Sequence, residues 1–259
     1  QFKVSLTGHR YGDLEDVPVW NIEATLPGIS DRVIVIGSHY DTRKRTSYRN
    51  SGANDNATGV AVTLELARML AEVEPATTRS DNAPARRRLA ATIRFCAWVN
   101  EEWPWFMTEQ MGSWRYARQC RARGDNIIAM LTPETLGYYS DEPGSQHWPW
   151  PFGWFYPDRG NFVLFLGPLG AREMIRECVG EFRRTTRFPS QGGAVPVFVP
   201  EVMRSDHWSF WKEDYPAVMI TDTADHRYPA FETNESADDL DFNRLARVTA
   251  GLRRVVEHL

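Results

Sequence analysis

The chain has 259 residues, of which 42% are apolar and 12% aromatic, enough to form a substantial hydrophobic core. The net charge of −4 comes without a long block of lysine or arginine, which argues against a nucleic-acid surface or a polybasic membrane anchor. No segment approaches the roughly 18 consecutive apolar residues that a membrane helix needs. We therefore expect one globular domain over residues 1–259, with no nucleic-acid or membrane partner.

The sequence begins at Gln1 with neither a methionine nor an apolar leader, so we expect a truncated or processed N-terminus from which any signal peptide is missing. The three cysteines, Cys96, Cys120 and Cys178, are far apart and form no CxxC pair. This spacing argues against a cysteine zinc site or a disulfide scaffold. It predicts three buried, free side chains.

Five short runs of β-branched and aromatic residues, each ending in polar residues, predict strands. The runs begin at Arg32, Thr92, Asn126, Asn161 and Pro216. Helical patterns cover residues 56–73, 169–186 and 241–259. Strands that are buried on both faces and alternate with helices predict a three-layer α/β/α sandwich around a mixed, mainly parallel sheet.

The first predicted helix has one apolar face and a candidate N-terminal cap at Asn56 or Thr58. The residues of that face are Val62, Leu66, Met69, Leu70 and Val73. The stretch that follows, residues 74–88, is polar and rich in helix breakers, and is predicted to be an exposed loop inside the domain.

Carboxylate and imidazole side chains cluster at the predicted strand ends and before the first helix. They are His39, Asp41, Asp55, Glu101, Glu102, Glu134, Asp206 and His207. Ligands bind at the carboxyl ends of parallel strands in α/β sheets, and unpaired carboxylates crowded there are costly, so we expect a divalent cation among them. Oxygen ligands with one or two imidazoles suit zinc, with manganese or cobalt as alternatives.

The adjacent Glu101 and Glu102 in "FCAWVNEEWPW" have a specific use in such a site. Successive side chains at a strand end point in different directions, so one carboxylate can bind a metal while its neighbour acts as a general base. An isolated pair of glutamates is usually a solvated loop, but the acidic surroundings favour the functional interpretation here.

Six motifs, in this order, resemble the zinc-dependent aminopeptidases of the leucyl and broad-specificity bacterial type, whose relatives include glutaminyl cyclase and the noncatalytic ectodomain of the transferrin receptor. The motifs are "GSHYDT", "GANDNATG", "VNEE", "QMGSWRYA", "PETLGYYSDEPGSQ" and "SDHWSFWKEDYPAVMITDTA". The resemblance runs from Asn21 to the last helix and implies a metallopeptidase-like domain that acts on peptide substrates. Because such relatives are commonly exported, it also implies a secreted or periplasmic location.

The resemblance implies a site with two zinc ions. His39 would bind one ion, Asp55 would bridge both, Glu102 would bind the other, and Glu134 takes the place of a family Asp or Glu ligand. Manganese or cobalt remains an alternative to zinc.

The last family ligand is a histidine, and the matching segment here is "YPAFET", residues 228–233. An alignment anchored on Pro229 and Thr233 places Glu232 at the histidine position and Phe231 at that of a tyrosine that stabilises the oxyanion. Aligning from "LDF" instead places Phe231 at the ligand position. We prefer the first alignment, because a phenyl group offers no donor atom to a cation. Loss of the tyrosine hydroxyl is expected to cost roughly 2.7 to 4 kcal/mol of transition-state stabilisation.

The resemblance also implies roles around the metals. Glu101 would be the general base and Asp41 would orient the imidazole of His39. Asp206 is either an anchor for the substrate amine or part of a structural pair, and His207 is expected to line the pocket.

Two segments that follow predicted strands are rich in aromatic residues, and residues 138–161 are predicted to form an ordered excursion near the site. The aromatic residues are Trp103, Trp105, Phe106, Trp148, Trp150, Trp154 and Phe155. They form either a hydrophobic pocket for an N-terminal side chain or simple loop packing, and we favour the pocket.

The leading hypothesis is a metal-dependent aminopeptidase whose activity is weakened by Glu232 and Phe231. A noncatalytic binding relative is the first alternative, suggested by the same two residues. Acyl transfer like that of glutaminyl cyclase, which generally uses one zinc, is the second, and the complete motif "GANDNATG" argues against it.

Overall fold

A computed structural model describes residues 3–10, 18–43, 50–72 and 89–259. The loop predicted at residues 74–88 and the helix position Val73 lie outside these ranges.

The described residues form one eight-stranded mixed sheet in the order β1-β2-β4-β3-β5-β8-β6-β7. The strands are β1 (Lys3–Arg10), β2 (Pro18–Leu26), β3 (Arg32–His39), β4 (Thr92–Trp98), β5 (Asn126–Glu134), β6 (Val163–Pro168), β7 (Ser190–Val195) and β8 (Ala217–Thr221). The central strands β4, β3, β5 and β8 are parallel, as are β6 and β7. The pairs β1–β2, β2–β4 and β6–β8 are antiparallel. The sheet is therefore mixed and mainly parallel, as predicted.

Helices cover both faces of the sheet, which confirms the three-layer sandwich. They are α1 (Ala57–Ala71), α2 (Gly112–Arg123), α3 (Arg172–Thr185), α4 (His207–Trp211) and α5 (Phe242–His258). Helix α5 contacts both α1 and α3, and these three helices share one core, whereas α2 and α4 pack together on a second core. None of the helices in the described ranges is long and apolar enough to cross a bilayer.

Strand β3 shows why the central strands are continuously apolar in sequence. Ile34 and Ile36 belong to the core beneath α1, α3 and α5, while Val33 and Val35 belong to the core beneath α2 and α4. Successive side chains of a strand point to opposite faces, so a strand covered by helices on both sides needs apolar residues at every position.

Helix α1 largely follows its prediction. Val62, Leu66 and Leu70 are buried, and Met69 is partly buried. Asn56 is the N-cap, because its side-chain Oδ1 accepts a hydrogen bond from the backbone N–H of Gly59 at 3.0 Å.

The three cysteines are free and buried, as predicted. Cys178 lies in the core beneath α1, α3 and α5, whereas Cys96 and Cys120 lie in the core beneath α2 and α4. The two sides of the sheet therefore carry separate thiols.

Candidate metal centre and active site

Three predicted ligands, His39, Asp55 and Glu134, converge at the carboxyl ends of the central strands. His39 is the last residue of β3, Glu134 is the last residue of β5, and Asp55 lies in the turn before α1. The Nε2 atom of His39 is 3.1 Å from Oδ1 of Asp55 and 3.5 Å from Oε2 of Glu134. Within the described parts of the chain, these residues are the one group of at least three His, Cys, Asp or Glu side chains whose ligand atoms all lie within 4.8 Å of one another.

The electrostatics of this cluster calls for a cation. Burial alone lowers the pKa of His39, but Glu134 and Glu101 beside it raise that pKa well above its usual value. Burial raises the pKa of Glu134 and of Glu101, and only the imidazole of His39 offsets this substantially by attraction. A divalent ion placed among the carboxylates would neutralise charges that otherwise repel one another in a buried site.

Glu134 is held in place by two neutral donors. Its Oε2 atom accepts hydrogen bonds from Nδ2 of Asn56 at 2.9 Å and from Oγ of Ser205 at 2.7 Å. Asn56 is the cap of α1, so one side chain fixes both the start of the helix and a candidate ligand. The sequence identified Asn56 as a possible cap, but nothing in its pattern indicated the contact with Glu134.

Asp41 organises the two glutamates as well as the histidine. The Nδ1 atom of His39 lies 3.0 Å from the backbone carbonyl of Asp41 and 3.7 Å from its carboxylate. The carboxylate instead accepts the backbone N–H groups of Glu101 at 3.3 Å and Glu102 at 3.2 Å. The carbonyl is therefore the nearer partner of the imidazole, and the carboxylate links the loop after β3 to the loop after β4.

Glu101 and Glu102 both line the cavity next to the cluster. Oε2 of Glu101 is 3.8 Å from Nε2 of His39, within reach of a water molecule bound at the cluster. Glu102 is also buried, and its Oε1 atom has no hydrogen-bond partner among the described residues. Burial raises the pKa of Glu102, and Asp55 adds to that effect by repulsion.

Glu232 and Phe231 also line the cavity, but Glu232 is engaged elsewhere. Its carboxylate forms an ion pair with the guanidinium of Arg43. Its backbone N–H donates to Oε1 of Glu235 at 3.0 Å, and Oε2 of Glu235 accepts the backbone N–H groups of Asn54 at 2.7 Å and Asp55 at 3.0 Å. Glu235 therefore ties this turn to the segment that carries Asp55, a role that the sequence did not reveal.

Asp206 and His207 lie at the start of α4, away from the cavity lining. Both side chains are fully buried, and neither contributes to the cavity lining. Nε2 of His207 lies 2.6 Å from the carbonyl of Val202, and burial lowers the pKa of His207 to about 4. Burial raises the pKa of Asp206. Only His207 was expected to line the pocket, and its side chain lies in the interior instead. The binding of a substrate amine by Asp206 stays a prediction.

A cavity of about 210 Å³ opens beside the cluster and has an apolar side. Its apolar lining residues include Trp148, Phe152, Tyr156, Leu164, Leu166, Val195, Val199 and Met219. Of the other predicted aromatic residues, Trp103 and Phe106 line it and Trp105 does not. Trp150, Trp154 and Phe155 also lie outside the lining and are 80%, 75% and 76% exposed. A cavity is present where the pocket was predicted, but four of the seven aromatic residues expected to line it do not contribute to its lining. Its use for an N-terminal side chain stays a prediction.

The donor set of the cluster fits zinc. One imidazole nitrogen and two carboxylate groups are ligands that zinc accepts, and a site with three protein ligands leaves a position open for water or substrate. An α/β/α sandwich that gathers such donors, with a further glutamate beside them, has the architecture of a metal-dependent hydrolase.

The chain belongs to peptidase family M28, whose family model matches residues 21–256. It is 34% identical over 251 residues to the uncharacterized protein YfbL of Escherichia coli strain K12, covering 92% of this chain and 72% of that relative. It covers only 23% to 55% of several longer fungal relatives, which are named as probable zinc metalloproteases or leucine aminopeptidases.

Solved structures share the fold at low sequence identity. The LapA aminopeptidase of Legionella pneumophila superposes with a TM-score of 0.67 at 16% identity, covering 98% of this chain and 58% of that chain. A glutaminyl cyclase of Bacteroides thetaiotaomicron superposes with a TM-score of 0.68 at 16% identity, covering all of this chain and 84% of the other.

Proposed function

We propose that this protein is a zinc-dependent aminopeptidase that removes N-terminal residues from peptides. The observation that carries the proposal is the convergence of His39, Asp55 and Glu134 beside the carboxylate of Glu101 at the edge of an apolar cavity. Membership of family M28 and the names of the longer relatives support the same reaction class.

His39, Asp55 and Glu134 would hold the zinc ion, which when bound polarises the carbonyl of the scissile peptide bond. Glu101 takes a proton from the water molecule that attacks the carbonyl carbon. The carbon–nitrogen bond then breaks, and Glu101 hands that proton to the departing amine. Burial raises the pKa of Glu101, which favours retention of the proton between the two steps.

Asp41 positions the base rather than reacting. Its carboxylate holds the backbone N–H groups of Glu101 and Glu102, so the carboxylate of Glu101 stays near the metal ligands. The apolar side of the cavity is suited to the side chain of the N-terminal residue, since Leu164, Leu166 and Met219 offer no polar partner.

The test is hydrolysis of aminoacyl chromogenic amides by protein that has been stripped of metal and reloaded with zinc, manganese or cobalt. We expect metal-stimulated release, faster for leucyl or phenylalanyl amides than for glutamyl amides. Glu101→Gln is expected to lower kcat by about 10²- to 10⁴-fold while retaining bound zinc. The exposed Glu142→Gln is the matched control. Absence of metal-stimulated release with every amide and metal would refute the proposed function.

A second candidate is acyl transfer of the glutaminyl cyclase type, favoured by the superposition that covers all of this chain. Incubation of the zinc-loaded protein with a glutaminyl peptide separates the two reactions. Cyclisation releases ammonia and converts the first residue of the peptide into a pyroglutamyl ring. An aminopeptidase instead releases free glutamine.

A further inference from the structure

The carboxylates expected to hold a second metal ion do not form a metal-binding group. Glu102 and Glu232 fall outside the cluster of His39, Asp55 and Glu134, which is the one group of convergent ligand atoms among the described residues. Among the described residues, only the first half of the expected two-metal site therefore has ligand atoms that already converge on one point.

A positively charged side chain of the protein lies in that half of the site instead. Arg43, four residues after His39, lines the same cavity as Asp55, Glu102 and Glu232. Its guanidinium is paired with the carboxylate of Glu232, and the two side chains are 32% and 14% exposed. A guanidinium remains charged at any physiological pH, so this positive charge is permanent.

The backbone fixes Glu232 in this arrangement. Glu232 has a φ of 52°, in the left-handed region, and its N–H donates to Glu235. Glu235 in turn holds the backbone of Asn54 and Asp55. Glu235 is thus hydrogen-bonded both to the backbone of Glu232 and to the backbone of Asn54 and Asp55. The ion pair with Arg43 therefore belongs to the same set of contacts that positions Asp55.

We propose that Arg43 takes the place of the second metal ion, so that the centre binds a single divalent cation at His39, Asp55 and Glu134. A second ion near Glu102 and Glu232 would have to break the Arg43–Glu232 pair and lie close to a like charge, both of which oppose its binding. This inference rests on the proposed metallopeptidase site, but it concerns the number of ions and not the reaction.

The experiment measures zinc per chain by elemental analysis, after saturation with zinc and removal of loosely bound ions by gel filtration. We expect one zinc ion in the wild type and a second, weaker ion in Arg43→Gln, in which Glu232 loses its ion pair with Arg43 and the cavity loses that positive charge. Arg176→Gln is the matched control, because Arg176 is exposed, is paired with Glu173 at 3.4 Å and does not line the cavity. That variant should still bind one ion.

Two ions, or none, in the wild type would overturn the inference, as would a single ion in a folded Arg43→Gln protein. Circular dichroism and a thermal melt establish that each variant is folded, and the wild-type count stands without any variant. Amide hydrolysis measured on the same samples separates the two proposals. One ion without hydrolysis refutes the peptidase function alone, whereas two ions with hydrolysis refute only the role of Arg43.

Discussion

Two fully buried histidines show how neighbours decide the protonation of a single residue. His39 and His207 are 1% and 0% exposed. Burial lowers the pKa of both, but the carboxylates around His39 reverse that effect, whereas His207 has only the carbonyl of Val202 near its ring and its pKa falls to about 4. His207 is therefore a neutral structural residue in the folded protein.

This difference predicts that His207 makes the fold sensitive to acid. The unfolded chain takes up a proton near the ordinary pKa of 6.5, while the folded chain does not until about pH 4. The free energy of unfolding should therefore fall as the pH drops through this window, by about 2 kcal/mol from this residue between pH 7 and pH 5.

Urea unfolding of the wild type and His207→Gln at pH 7 and pH 5 measures the effect. The variant should lose less stability on acidification than the wild type, by about 2 kcal/mol. The exposed His147→Gln should behave as the wild type does. Equal losses in all three proteins would contradict the assignment of His207 as a buried neutral residue.

At the scale of secondary-structure elements, the cap of α1 links helix stability to the site. Asn56 accepts the N–H of Gly59 and donates to Glu134. Asp241 caps α5 in the same way, accepting the N–H of Arg244 at 2.9 Å, but its carboxylate pairs with Arg244 and not with a candidate metal ligand. The two caps form a matched pair of which only one touches a candidate ligand.

We predict that Asn56→Ala and Asp241→Ala each lower the free energy of unfolding by about 1 kcal/mol, the usual cost of a lost cap. Only Asn56→Ala should also weaken zinc binding, by about 10- to 100-fold, because Glu134 loses a partner that orients it. Urea unfolding of the zinc-free proteins and competition with a chelator provide the two measurements. Equal zinc affinity in the two variants would show that Asn56 does not position Glu134.

The elements that could be predicted from the sequence are those whose apolar residues form the hydrophobic core. The apolar runs correctly predicted five strands, and the helical patterns correctly predicted three helices. The strands are β3, β4, β5, β6 and β8, and the helices are α1, α3 and α5. Strand β6 begins at Val163 rather than at the predicted Asn161.

The elements that were missed have local sequences that do not favour them. Strand β7 contains Gly192 and Gly193, residues that weaken a strand, and is formed by pairing with β6. Helix α2 is rich in arginine and begins without a capping side chain. Strands β1 and β2 pair with each other at one end of the sheet order. In each case the tertiary contacts determine the structure, and these are not visible in a short window of sequence.

The site also divides into residues that local motifs predict and residues that only tertiary contacts reveal. The convergence of His39, Asp55 and Glu134 could be predicted because each residue lies in a recognisable motif. Arg43 and Glu235 were not, because each acts through a partner far away in the chain.

At the scale of the whole molecule, the candidate metal ligands join β3, the start of α1 and β5. An ion that binds only the folded state adds about 2.7 kcal/mol of stability at a free concentration of 100 times its Kd. We therefore predict that a chelator lowers the melting temperature and that added zinc restores it.

Differential scanning calorimetry with and without zinc checks this expectation. His39→Ala lacks one ligand and should lose most of the zinc-dependent rise, whereas Glu142→Gln should keep it. An equal rise in His39→Ala would mean that zinc stabilises the fold at another place.

Because the thiols are buried on opposite faces of the sheet, their reactivity can report separately on the opening of each helical layer. A maleimide can modify Cys178 only when the side covered by α1, α3 and α5 opens, and Cys96 or Cys120 only when the opposite side does. Peptide mapping after brief labelling would then distinguish a breach of one layer from complete unfolding. The three cysteines thus act as built-in reporters that need no engineered label site.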